Sequence, residues 1–268
     1  MQYKFDEFKQ WFDNYTRQFK SDDEKIQRNF DLKILHTRKV YENAVVIAEA
    51  LGLPEEDTFV AKVAALFHDV GRFEQFQQYN TFIDKHSVNH AELGLDILAR
   101  EQLFESLPED LSEKIVTAIE YHNKLEVPEN MNYSLGFHAR LLRDADKLDI
   151  FRVVTEYYEQ QKSGDHNEAI VLGLPDDEGF TNAVISDIKN REIVKSQDLQ
   201  TINDFKLLQA AWVFDINFSI TMSLIKERKF IHLIFQSLPD YEDIALAQKI
   251  ITDHMENHCK KEKNAVLF

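Results

Sequence analysis

The chain contains few of the residues that build turns, strands and cross-links. Its 268 residues include seven glycines, five prolines and a single cysteine, Cys259. One cysteine excludes an internal disulfide, which is compatible with a reducing cytosol. So few glycines and prolines are atypical of a protein with many short strands and tight turns. The composition therefore favours an all-α fold.

The chain also lacks a long hydrophobic run, an apolar signal-peptide core near its start and an excess of positive charge. Lys and Arg number 31 against 47 Asp and Glu, which gives a formal net charge of −16. Because nucleic-acid polymers are bound by clustered basic residues, we expect no such polymer as a partner. We also expect no membrane partner and a cytoplasmic location. A small phosphorylated substrate remains compatible with this charge. A homo-oligomer is also compatible with the sequence.

Hydrophobic residues recur at steps of three and four along most of the chain, as they do in amphipathic helices. One helix is predicted to end at Gly52, and the next to begin at Pro54 and end at Gly71. A loop is predicted near residues 74–84. Loop signals also collect at 163–180, and they predict two parts, 1–165 and 166–268, the second being a helical extension packed on the same core.

Polar residues occupy inward positions on several predicted helices, and they are His36, His68, Asp69, His90, His122 and Asp146. Neighbouring helical residues point about 100° apart, so His68 and Asp69 can share a target only where the helix breaks. Helical bundles build metal sites from such imidazoles and carboxylates, which bind Fe, Mn and Zn. Asp69 has two oxygens and can bridge two ions, a pair of which would polarise a phosphoryl group. His86, one turn before His90, is an alternative ligand to it.

The sequence around these residues resembles the HD-domain superfamily of metal-dependent phosphohydrolases. The stretch HTRKVYENAVVIAEALGL is similar to the first-histidine helix of that family, VAALFHDVGRF to its namesake turn, and LLRDADKLDIF to its final-aspartate helix. The resemblance covers roughly residues 25–160. It implies an HD-domain-like helical bundle, here with additional C-terminal helices. It further implies that His36, His68, Asp69 and Asp146 bind a primary metal, and that His90 and His122 match the extra histidines of two-metal members.

The resemblance also implies the reaction, which is hydrolysis of a small phosphate ester, often a nucleotide, as a phosphomonoesterase or phosphodiesterase. The expected cofactor is a divalent transition metal such as Fe, Mn or Zn, in two copies, with Mg also compatible. Asp69 would bridge the ions and orient the attacking water. Arg72 and Lys147 would assist catalysis and bind the substrate, and Arg143 is a further substrate-binding candidate.

Two alternatives stay open at this point. A minority of two-metal members of the family are iron oxygenases, so a di-iron oxygenase on the same scaffold is one of them. The other is a non-catalytic nucleotide-sensing or interaction module. The presence of both Asp69 and Asp146 favours an enzyme, because a pure binding module would not need the two carboxylates together.

Overall fold

The computed structural model describes residues 5–160 and 173–265, and within these ranges the protein is built from α-helices and short 3₁₀ turns, without strands. The helices are α1 (Phe5–Thr16), α2 (Glu24–Ala50), α3 (Glu55–Phe67), α4 (Gly71–Tyr79), α5 (His90–Arg100), α6 (Glu109–Tyr121), α7 (Tyr133–Gln160), α8 (Asn182–Asn190), α9 (Ile202–Ala211), α10 (Ser219–Glu227), α11 (Phe230–Gln236) and α12 (Glu242–Ala265). The predicted all-α fold is confirmed. None of the described helices combines the length and apolar character needed to cross a membrane.

The chain divides into two compact units, Met1–Asp149 and Ile150–Phe268. The boundary predicted between residues 165 and 166 lies outside the described residues. The division into 1–165 and 166–268 therefore stays a prediction.

Aromatic side chains hold α1 on the N-terminal unit. Phe8, Phe12 and Tyr15 form its buried face. The ring of Phe8 meets that of Phe67 at 5.7 Å between centroids, and Phe12 meets Phe73 at 6.0 Å, both edge to face. Edge-to-face pairs at this spacing add to the burial of the rings themselves. This packing anchors the corner at which α3 ends and α4 begins.

The corner between α3 and α4 differs from the sequence prediction. Helix α3 ends at Phe67 and α4 begins at Gly71, so Gly71 starts a helix where the sequence predicted an end. A Cβ at Gly71 would lie 2.2 Å from the carbonyl oxygen of His90 and 2.7 Å from the backbone nitrogen of Gly94. The glycine thus lets α4 and α5 approach closely. The loop predicted near 74–84 is also wrong in its first half, because α4 continues to Tyr79.

The C-terminal unit has its own hydrophobic core, in which α12 packs on α8 and α10. Helix α9 begins with a capping box, in which Thr201 Oγ1 accepts from the backbone N–H of Asp204 and the Asp204 carboxylate accepts from that of Thr201. On the same helix the buried Lys206 donates to the backbone oxygen of Ser237 at 2.7 Å. These bonds satisfy polar groups inside an otherwise apolar unit.

Candidate metal centre

Six side chains converge inside the N-terminal unit from five helices. His36 lies in the middle of α2, His68 caps the C-terminus of α3, and Asp69 follows it in the corner. His90 is the first residue of α5, His122 caps the end of α6, and Asp146 lies on α7. The four imidazoles and Asp69 are buried. Four of the six occupy helix ends or the residue beyond one, where side chains escape the fixed angular steps of a helix.

One oxygen of Asp69 faces the first pair of histidines. Asp69 Oδ2 lies 3.7 Å from His36 Nε2 and 3.7 Å from His68 Nε2, and the two nitrogens are 3.4 Å apart. Asp146 Oδ1 closes this set, at 3.0 Å from His36 Nε2 and 3.7 Å from His68 Nε2. Two imidazoles and two carboxylates thus surround one point.

The other oxygen of Asp69 faces the second pair of histidines. Asp69 Oδ1 lies 3.4 Å from His90 Nε2 and 3.9 Å from His122 Nε2, and these two nitrogens are only 2.9 Å apart. His36, His68 and Asp69 form one potential metal-binding group, and Asp69, His90 and His122 form another. Asp69 is common to both.

The outer nitrogen of every imidazole has a hydrogen-bond acceptor. His68 Nδ1 donates to the carbonyl of Ala65 at 2.8 Å, and His122 Nδ1 to that of Ile119 at 2.6 Å. The remaining two donate to carboxylates, His36 to Asp149 and His90 to Asp84, both at 2.7 Å. Partners of this kind fix the ring orientation and direct the Nε2 lone pair inward, as around protein-bound metals.

This arrangement fits a bound cation and is difficult to explain without one. His90 and His122 each carry their proton on Nδ1, so their facing Nε2 atoms are two acceptors 2.9 Å apart with no donor between them. Two lone pairs at that distance repel each other unless a positive centre lies beside them. Imidazole nitrogens together with carboxylate oxygens are ligands for divalent transition metals.

The family model of the HD domain matches residues 34–150, which contain all six side chains. The HD domain is thus the family whose model this part of the chain matches. The comparison with curated proteins gave no match, and that with solved structures gave none either. The HD-domain superfamily is one of metal-dependent phosphohydrolases, so the match agrees with the buried histidine and aspartate groups.

Burial keeps three imidazoles of the centre neutral. It lowers the pKa of His68, and together with the charge of Arg72 it lowers the pKa of His90. Burial and the neighbouring His90 and His68 lower the pKa of His122 to about 3. Only neutral imidazole binds a metal, so these three rings are ready to do so near neutral pH.

The remaining members of the centre behave differently. Burial opposes the charged form of His36, but its contacts with Asp146 and Asp149 raise its pKa to about 9. Burial likewise disfavours ionised Asp69, yet the charges of Lys33 and Arg72 hold the pKa of this carboxyl well below its usual range. The raised pKa of His36 favours its protonated form near neutral pH, and a metal bound at its Nε2 would replace that proton.

A polar network supports the second histidine pair. Asp84 Oδ2 accepts from His90, while Asp84 Oδ1 accepts from Arg72 Nη1 at 2.8 Å and from Gln75 Nε2 at 2.9 Å. Arg72 Nη1 also donates to the carbonyl of Phe82 at 2.6 Å, and Arg72 Nε lies 3.4 Å from Asp69 Oδ1. Arg72 thus contacts the shared carboxylate and the group that orients His90.

Two residues of the centre could not be identified from the sequence patterns used above. Lys33 Nζ donates to Asp69 Oδ2 at 2.8 Å, and its position one turn before His36 on α2 was a signal that periodicity could have used. Asp84 lies in a 3₁₀ turn outside the α-helices, so no periodic pattern indicated it. Asp149, one turn beyond Asp146 on α7, orients His36 by accepting from its Nδ1.

Three other candidates lie in different surroundings. The Arg143 guanidinium is buried and donates to the backbone oxygens of Tyr121, His122, Lys124 and Leu125, so it holds the end of α6 and lends no support to substrate binding. Lys147 is half-buried beside Asp146 on α7, and its role stays a prediction. His86 is exposed in the 3₁₀ turn, outside both potential metal-binding groups, whereas His90 is in one of them.

Proposed function

We propose that this protein hydrolyses a small phosphate ester, a nucleotide or a related metabolite, in a metal-dependent reaction. The observation that supports this most strongly is the position of the Asp69 carboxylate. Each of its two oxygens faces a different pair of inward-directed histidine nitrogens. A carboxylate in this position is suited to bridge two cations, and two-metal sites are typical of phosphate-ester hydrolysis.

Two divalent ions are the proposed cofactor. His36, His68, Asp69 and Asp146 would hold one, and Asp69, His90 and His122 the other. When bound, such ions supply an activated water and neutralise negative charge on the phosphate. Fe, Mn and Zn suit the mixed nitrogen and oxygen donors, and Mg is the weaker candidate.

The chain's own residues position these groups. Asp69 contacts both halves of the centre and orients whatever water lies between them. Arg72 is fixed by Asp84 and reaches Asp69 with its Nε, so we assign it to the phosphate. Lys147 remains a candidate for the same task, whereas Arg143 is omitted because its nitrogens are bonded to backbone oxygens. Most of the catalysis would come from positioning and charge.

The partner we propose is a small molecule. The formal charge of −16 disfavours a long polyanion, and a bound metal can still attract a single phosphorylated metabolite. A cytoplasmic location is proposed because a single cysteine is compatible with a reducing compartment.

The test starts with metal content. Protein purified without chelator is analysed for bound elements, alongside Asp69→Ala, His90→Ala and the matched control His86→Ala. We expect bound transition metal in the wild type, its loss in Asp69→Ala, a partial loss in His90→Ala and no change in His86→Ala, because His86 lies exposed outside the centre. Unchanged metal in a folded Asp69→Ala variant would contradict the proposed centre.

The reaction is tested on a panel of phosphorylated metabolites with metal-loaded protein. We expect release of phosphate or nucleoside from at least one class, abolished by Asp69→Ala. Oxygen consumption with an organic substrate and no phosphate release would instead favour the di-iron oxygenase. Ligand binding without turnover would favour the nucleotide-sensing module.

A further inference from the structure

We propose that Lys33 binds the phosphate of the substrate and makes a terminal, doubly charged phosphate the preferred substrate class. This inference rests on the proposed hydrolysis and goes beyond it, because no sequence motif assigned a role to Lys33. It concerns a residue of this chain that touches the shared carboxylate without belonging to the ligand set.

Lys33 is held at the centre by two contacts. Its Nζ lies 2.8 Å from Asp69 Oδ2 and 5.2 Å from the centroid of the Phe82 ring. The same ring lies 6.0 Å from the Arg72 guanidinium carbon. An aromatic face stabilises a cation at such distances, so Phe82 supports both positive groups. Each oxygen of Asp69 consequently has one basic side chain beside it, Lys33 at Oδ2 and Arg72 at Oδ1.

Lys33 is also more exposed than the residues of the centre. The side chains of the four histidines are only 1–6% exposed, and that of Asp69 is 5% exposed. Lys33 is 17% exposed, and Asp146 and Arg72 are each 14% exposed. The Lys33 side chain is therefore more accessible to a solute than the buried imidazoles are.

The Lys33 ammonium has N–H donors beyond the one that bonds to Asp69. Among residues 5–160 and 173–265, Lys33 Nζ donates a hydrogen bond to Asp69 alone. An ammonium carries three N–H donors. Arg72, by contrast, directs its Nη1 at three acceptors, on Gln75, Phe82 and Asp84. Lys33 can therefore turn donors toward an incoming anion without losing its existing support, and it does so beside Arg72, whose Nε has no hydrogen-bond partner among the described residues.

Charge indicates which anion fits. Asp69 already has two basic neighbours, and bound divalent ions would leave the centre with more positive charge than Asp69 and Asp146 neutralise. A terminal phosphate carries close to two negative charges at neutral pH, with three free acceptor oxygens, whereas a diester carries one charge and two such oxygens. The additional cation at Lys33 favours the monoester.

The experiment uses the full-length, metal-loaded chain and inorganic phosphate as the probe. Binding is measured by calorimetry for wild type, Lys33→Gln, Lys33→Arg and the control Lys39→Gln, with metal content determined for each. Lys39 lies on the same helix, but it is exposed and paired with Glu42 at the surface. We expect Lys33→Gln to weaken phosphate binding at least about tenfold with metal content unchanged, because one charge-assisted hydrogen bond is lost. Lys33→Arg should recover most of the affinity, and Lys39→Gln should bind as the wild type does.

Kinetics with nitrophenyl phosphate and its bis-nitrophenyl diester give the second readout. Lys33→Gln should raise KM for the monoester more than it lowers kcat, and it should affect the diester less. Equal phosphate affinity in Lys33→Gln and wild type, or loss of metal in Lys33→Gln, would overturn the assignment of Lys33. A wild-type protein that holds metal but neither binds phosphate nor releases it from any ester would overturn the proposed hydrolysis as well, and that result needs no variant.

Discussion

Replacing Gly71 by alanine tests how closely the corner between α3 and α4 packs against α5. A Cβ there would lie 2.2 Å from the carbonyl oxygen of His90 and 2.7 Å from the nitrogen of Gly94. Ordinary contacts between heavy atoms lie at about 3.5–4.0 Å. Both neighbours are backbone atoms, so no side-chain rotation relieves the clash. Helices α4 and α5 must move apart by more than about 1 Å to restore ordinary contact distances.

The expected cost follows from two opposing effects. Inserting a methyl group into a tightly packed interior costs about 1–3 kcal/mol, and a clash with backbone belongs at the upper end. Alanine recovers up to about 1 kcal/mol, because it restricts the unfolded chain and favours the helix. We therefore expect Gly71→Ala to lower the free energy of unfolding by about 2 kcal/mol. The displacement should also move His90, the first residue of α5, and reduce the metal content.

Gly94→Ala is the matched control, because it adds the same methyl group to the other side of the same contact. Its Cβ would lie 3.3 Å from the nitrogen of Gly71 and 3.3 Å from Val70 Cγ1. Each distance is only a few tenths of an ångström shorter than an ordinary contact. The gain in helix propensity, about 1 kcal/mol, offsets this, so we expect a change near zero. Urea unfolding of both metal-free variants, compared at equal m-values, measures the difference. Equal unfolding midpoints for Gly71→Ala and Gly94→Ala would refute the close-contact explanation.

Three further outcomes are expected. Asp84→Asn should weaken binding of one metal ion about 10–100-fold while the other is retained, because the acceptor that orients His90 loses its charge; equal loss of both ions in a titration would contradict this. Burial lowers the pKa of His138, so the folded protein resists a proton that the unfolded chain accepts below about pH 6.5, and the free energy of unfolding falls as the pH falls. The His138→Gln variant should therefore lose less stability than the wild type between pH 7.5 and 5.5. An equal loss in both proteins would show that another group is responsible. Lys206→Met should destabilise the protein by about 1–3 kcal/mol in thermal or urea unfolding, because the carbonyl of Ser237 loses its donor, and unchanged stability would refute that role.

The secondary structure could be predicted from periodicity where helices are long and one face is buried. Helix α1 buries Phe8, Phe12 and Tyr15 at the predicted spacing, and α2 ends just before Gly52, which adopts a positive φ of 64°. Periodicity was wrong at the corner between α3 and α4. A glycine there reads locally as a helix end, whereas its actual role depends on the backbone of α5, about twenty residues further along the chain.

The sequence by itself determined the helical class, the HD-type motif and the six polar positions that face inward, because each depends on local spacing along one helix or turn. Only the tertiary structure decided that Asp69 divides its oxygens between His36 with His68 and His90 with His122. Likewise, the contact of Lys33 with that carboxylate and the support of His90 by Asp84 join elements that are distant in sequence. Hydrophobic periodicity indicates which face of a helix is buried, but the partner that a polar side chain meets there depends on how the helices pack against each other.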